Sequence, residues 1–257
     1  MFGYRKKSQR RFITLLSILI IITFGFSDEI NDLYKMGMDA LRSGQNDLTI
    51  QEFERILLNG WESPQIYYNL GNAYYRNGSV AGSIWAYEQC LLLDPIHRDA
   101  KYNLGLANLK VKDRVDIPEP PFYLKVYQQI KVRYTSLEWL VIFSGLLLTI
   151  SLLMAIRKIF RYLWFRKIEI GLIIFLIMVV LIGINAVWDK QTSRQGITYH
   201  SPITALSGPD EYSTKLFEIH EGLKVNILDE TEGWIEIGLI NGNSGWIPST
   251  QIRKLQN

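Results

Sequence analysis

One cysteine, three histidines and a net charge of only +3 leave this chain of 257 residues short of what most enzyme sites are built from. Cys90 alone cannot close an internal disulfide, so stability has to come from packing. His97, His200 and His220 stand apart in the sequence, and no His/Cys/Asp/Glu set has the spacing of metal ligands. A phosphate-cradling glycine loop and a serine in a nucleophile elbow are lacking as well. The expectation is therefore a protein that is not an enzyme, with no catalytic residues, no cofactor and no metal. With 28 basic against 25 acidic residues, nothing suggests a nucleic-acid partner.

What the chain has is grease in blocks. Uncharged apolar runs occupy 12–26, 139–156 and 170–188, and the last two are about as long as a bilayer core requires. Residues 1–11 carry Arg5, Lys6, Lys7, Arg10 and Arg11 without an acidic group, and the loop 157–169 is basic apart from Glu169. The longer segments 28–138 and 189–257 are each net acidic. Short basic flanks stay cytoplasmic under the positive-inside rule, which sends both longer segments to the other face. Residues 1–27 read as a secretory signal cut after Ser27, or else as an uncleaved anchor; either places residue 28 outside. The spans 139–156 and 170–188 hold no charge, which argues against a channel or pump. Gly145 and Gly171 are candidates for close helix contact.

Between residues 28 and 116 the chain repeats. Gly37, Gly71 and Gly105 recur at an interval of 34, preceded by Met36, Leu70 and Leu104, and Gly44 and Gly78 share the interval. The central unit, 64–95, places Tyr67, Leu70, Gly71 and Tyr74 on one helical stripe; Ser83, Tyr87 and Cys90 follow on a second helix that Asp94 and Pro95 end. A side chain at position 71 would hold the paired helices apart. This pattern resembles the tetratricopeptide repeat at Tyr67, Leu70, Gly71, Tyr74, Tyr87 and Pro95. Units at about 30–61, 64–95 and 98–113 are expected, the first a weakened cap and the third incomplete. The resemblance implies a concave groove lined by Tyr68, Asn69, Asn72, Tyr75, Arg76, Tyr102 and Asn103, where asparagines hydrogen-bond a partner's backbone; the other reading is a generic repeat surface. Cys90 reads as a small buried residue, or alternatively as a redox sensor.

Prolines near residue 118 end the module. Segment 117–138 then reads as a linker and a helix with Phe122, Val126, Ile130 and Tyr134 spaced four apart, lying on the membrane surface or packed as an ordinary amphipathic helix. After Asp189 the period changes to two: Leu223, Val225 and Ile227, then Ile235, Ile237 and Leu239, alternate with polar or small neighbours. Asn241 and Gly242 mark a hairpin turn. The order Ala205, Leu206, Pro209; Glu221, Gly222, Leu223; Gly233, Trp234, Ile235; Gly245, Trp246, Ile247 resembles the bacterial SH3-like domain over 196–257. That resemblance makes Tyr212, Trp234, Trp246 and Pro248 groove candidates, although tryptophans in so small a barrel usually belong to its core.

The expected fold is thus a multidomain membrane protein: an all-α tetratricopeptide solenoid, a two-helix transmembrane hairpin and a small all-β SH3-like barrel. The whole order is similar to the BatE proteins of bacterial aerotolerance operons. The resemblance implies an inner-membrane protein with both lobes in the periplasm, acting beside von Willebrand A-domain membrane proteins and a MoxR-type ATPase in an envelope or stress-tolerance complex. The expected function is a membrane-anchored protein-protein interaction scaffold. The alternative is a peptidoglycan-binding anchor acting through the barrel.

Overall fold

The computed structural model describes residues 30–113, 121–134, 136–160, 164–192 and 194–256. The expected signal or anchor at 1–27 lies outside them, as do 117–120 of the expected linker. The chain divides into two compact units, one ending at Val111 and the other starting at Lys112.

The first unit is helical over its described residues. Helix α1 covers residues 30–42 and is followed by α2 (Asn46–Leu58), α3 (Pro64–Arg76), α4 (Val80–Leu93) and α5 (Arg98–Asn108). Local signals set these limits. Ser63 accepts a hydrogen bond from the Ile66 N–H at 3.2 Å and Pro64 takes the first helical position, so α3 begins there. Gly44 and Gly78 turn the chain after α1 and α3 at φ of 75° and 83°, which glycine adopts without a Cβ penalty.

Two contacts recur one repeat apart. A Cβ on Gly37 would stand 2.9 Å from the Phe53 ring, and one on Gly71 would stand 2.6 Å from the Tyr87 ring. Both glycines let the paired helices close onto an aromatic side chain that is 0% and 1% exposed. Between pairs, the Asn69 Nδ2 donates to Met38 Sδ at 3.2 Å, and the Asn103 Nδ2 donates to Asn72 Oδ1 at 2.9 Å. Met38 and Asn72, like Asn69 and Asn103, lie 34 apart in the sequence. Equivalent positions therefore join α3 to α1 and α5 to α3. Gly105 breaks the pattern, since a Cβ there would meet nothing within 4 Å among the described residues.

In the second unit, α6 (Phe122–Arg133) leads to two long helices, α7 (Ser136–Phe160) and α8 (Trp164–Thr192). Both are long and apolar enough to cross a membrane, over Leu137–Ile159 and Arg166–Trp188. They run past the expected limits and take up most of the expected loop 157–169, leaving 161–163 between them outside the described residues. The extension brings Arg157 Nε to 3.1 Å from Glu169 Oε1, with Glu169 buried. Gly145 and Gly171 make no close contact; Gly183 does, with the Trp139 ring 3.4 Å from the position of its Cβ. The stripe expected on α6 does not pack as a stripe either. Phe122 is exposed, and α6 meets α8 through Tyr127, whose hydroxyl donates to Asn185 Oδ1 at 2.9 Å.

The chain ends in a seven-stranded antiparallel sheet. Its strands are β1 (Gln195–Thr198), β2 (Ile203–Leu206), β3 (Lys215–Ile219), β4 (Lys224–Thr231), β5 (Trp234–Gly238), β6 (Ser244–Pro248) and β7 (Ile252–Lys254). Their order is β3-β2-β6-β5-β4-β1-β7. Aliphatic side chains at alternate positions, among them Ile203, Val225, Ile227, Ile235, Ile237, Ile247 and Ile252, form its core. The β5–β6 hairpin turns at Gly242, with φ of 90°.

The Gly71 contact sets an expected outcome. Gly71→Ala forces a methyl into a ring that is buried and cannot swing away, so it should destabilise the helical unit by about 1–3 kcal/mol. Gly105→Ala meets no neighbour and should be neutral or stabilise by up to about 1 kcal/mol through helix propensity. Thermal denaturation of the detergent-solubilised chain, followed by circular dichroism, separates the two.

Candidate functional site

Asn72, Tyr75 and Arg76 fall three and four residues apart on α3, and Asn103 and Leu106 three apart on α5, so each set shares a helix face. With Tyr87 from α4 they line a polar cavity of about 180 Å³. Asn72 organises it. Its Oδ1 accepts from the Tyr87 hydroxyl at 2.8 Å and from the Asn103 Nδ2 at 2.9 Å, which spends the amide oxygen and leaves its Nδ2 without a partner among the described residues. Lys110 lies over the Tyr75 ring, with Nζ 4.0 Å from the centroid. Arg76 is exposed and forms no ion pair among the described residues. Such a cavity offers an amide donor and one cation beside aromatic area, a set suited to peptide carbonyls or a carboxylate.

Of the seven residues anticipated here, four come together: Asn72, Tyr75, Arg76 and Asn103. Asn69 is buried at 4% exposure, engaged with Gln65 and Met38, and serves stacking rather than the cavity. Tyr102 points away and is 68% exposed. Tyr68 is half-buried, its ring 4.9 Å from that of His97. Tyr87, Leu106 and Lys110 were not anticipated. The 34-residue interval could have pointed to Tyr87, because its ring fills the space that Gly71 vacates.

On the sheet, strand register decides the aromatic residues. Trp234 lies opposite Pro248 and Glu236 opposite Trp246, whereas Ile235 lies opposite Ile247 and Ile237 opposite Gly245. Opposite residues share a face, so Trp234, Trp246 and Pro248 occupy the face turned away from the isoleucine core. All three are half-buried. The expectation that these tryptophans fill the core is thereby corrected: β-branched side chains already fill it, which leaves the indoles outside. Tyr212 is 94% exposed, in the loop between β2 and β3. Among the described residues no ring contact or hydrogen bond places it with the other three.

Cys90 is fully buried on α4. Burial, with a smaller contribution from Asp94, pushes its thiol from 9.0 up to about 12. Burial likewise raises the Tyr87 phenol. A thiol so placed holds almost no thiolate near neutral pH, which disfavours the redox-sensor reading. Among the described residues no three His, Cys, Asp or Glu side chains are grouped to hold a metal ion. No family model matches this chain, and no curated protein is similar to it.

The sign of the thiol shift fixes a pH dependence. The folded state holds its proton more tightly than the unfolded chain, so the fold's stability is unaffected by this group below pH 9.0 and falls as pH rises towards about 12. Cys90→Ala should make that alkaline decline shallower in equilibrium denaturation. Iodoacetamide at pH 8 should leave Cys90 unmodified until the chain is unfolded. Separately, Asn72→Ala removes the acceptor of two hydrogen bonds and should cost about 1–3 kcal/mol.

Proposed function

We propose that the protein is a membrane-anchored interaction scaffold, with a tetratricopeptide-type solenoid and an SH3-like barrel recruiting partner proteins outside the cytoplasm. The recurrence of both the glycine–ring contact and the asparagine contact at one interval of 34 residues supports the solenoid reading. The observation that carries the function is the cavity on the α3 and α5 faces, where Asn72, Arg76, Tyr75 and Asn103 present donors to a partner chain. Two helices covered with exposed Leu, Ile and Val supply the anchor. The basic flanks 1–11 and 157–169 support a topology in which both lobes face the periplasm of a bacterial inner membrane. By its resemblance to BatE proteins, the partners are von Willebrand A-domain membrane proteins and a MoxR-type ATPase system, in an envelope or stress-tolerance complex.

The position of Trp234, Trp246 and Pro248 on the outer face of the sheet favours a second reading. Half-exposed indoles beside a proline form a ligand surface, and peptidoglycan is the ligand that a cell-wall anchor would take.

Affinity purification of the full tagged chain from native membranes separates the two. Asn72→Ala combined with Arg76→Glu should lower partner recovery about tenfold or more, the equivalent of 1.4 kcal/mol, with Trp234→Ala retaining it. If the groove variant keeps every partner while Trp234→Ala abolishes sedimentation of the full chain with purified cell wall, the anchor reading replaces the scaffold.

A further inference from the structure

The end of the α7–α8 hairpin opposite its connection carries a groove that the scaffold reading does not use. Trp139, Leu140 and Phe143 of α7 and Gly183, Ile184 and Trp188 of α8 are among its lining residues, and its volume is about 470 Å³. The lining is almost wholly apolar apart from the indole N–H groups of Trp139 and Trp188. Trp139 is only 8% exposed, and its indole N–H has no acceptor among the described residues. A buried donor left unmatched costs free energy that an incoming acceptor recovers.

Cations border this groove. Lys131 of α6 donates to Asn185 Oδ1 at 3.5 Å, and Asn185 follows the lining residue Ile184. The Arg133 guanidinium lies 6.0 Å from the centroid of the Tyr134 ring, which meets the Trp139 ring edge-on at 5.4 Å. Glu138 is the acidic residue of the first turn of α7, so with Lys131 and Arg133 this end stays net positive. Apolar floor, indole donor and basic rim follow one another in the order of an acyl chain, a glycerol ester and a phosphate.

We propose that this groove holds one anionic phospholipid, its acyl chain against Trp139 and Trp188 and its phosphate on Lys131 and Arg133. The inference rests on the membrane reading given above. A zwitterionic lipid fills the groove equally well but brings its own cation to the rim, so the preference is for net negative charge. Asn185, held by Tyr127 and Lys131, ties α6 to α8 next to the lining residue Ile184.

Tryptophan quenching in nanodiscs tests this on the full chain. Brominated phosphatidylglycerol and brominated phosphatidylcholine are titrated separately at equal mole fractions, with Trp139→Phe and Trp188→Phe identifying the groove's share of the signal. The anionic lipid should quench that share at a several-fold lower mole fraction. Arg133→Gln, alone and together with Lys131→Gln, should remove the difference, whereas Lys158→Gln at the other end of the hairpin should leave it unchanged. Equal quenching by both lipids means a bulk boundary lipid and overturns the proposal. Quenching by neither lipid overturns the membrane reading beneath it instead.

Discussion

Leu140, Leu148, Leu152, Ile174, Ile177, Leu181 and Ile184 stand exposed on α7 and α8, an apolar surface of the kind that meets a membrane or another protein. Helices of 25 and 29 residues rise about 37 and 43 Å at 1.5 Å per residue, more than the roughly 30 Å of a hydrocarbon core. Away from its ends, each helix matches its backbone groups internally, the condition a bilayer imposes. A hairpin returns the chain to the face it left, so in the proposed topology the segment before α7 and the one after α8 emerge together. The Arg157–Glu169 pair lies at the closed end of the hairpin. A buried carboxylate there is tolerable because its counter-charge is 3.1 Å away.

Outside the hairpin, stability rests on steric matching rather than on cross-links, as a chain with one cysteine requires. Gly37 and Gly71 each omit a side chain where Phe53 and Tyr87 supply a ring, and the same exchange one interval apart closes α1 on α2 and α3 on α4. Tyr87 then does double service. Its ring packs against Gly71, while its hydroxyl reaches Asn72 and orients the amide that opens on the cavity. Packing and the candidate binding surface are therefore coupled through one side chain. Helix α5 lacks this exchange, since nothing within 4 Å faces Gly105 among the described residues.

The helices, the apolar spans and the strand alternation were legible because each is a short-range period: 3.6, unbroken apolarity, or 2. Gly71 could be assigned its role from spacing alone, because the interval of 34 compares a position with itself. What escaped depended on a partner distant in sequence. Gly183 looks no different from Gly145 or Gly171 until Trp139 is seen against it. Asn185 drew no notice because charge, not hydrogen-bonding capacity, was counted within the spans. The loop 157–169 was read by the sign of its charges, and helical continuation instead carried Arg157 and Glu169 into contact. Size alone points the sheet's tryptophans to the core, yet strand register leaves them on the outer face.

Threading of the chain through the membrane is the central claim, and buried Cys90 gives a nearly silent background for testing it. Single cysteines are introduced as Tyr102→Cys, Tyr212→Cys and Lys158→Cys, all at exposed positions. Intact cells with a permeabilised outer envelope are then treated with a membrane-impermeant maleimide. The account predicts labelling at positions 102 and 212, with position 158 labelled only after the inner membrane is broken; labelling at 158 with protection at 102 or 212 would contradict it.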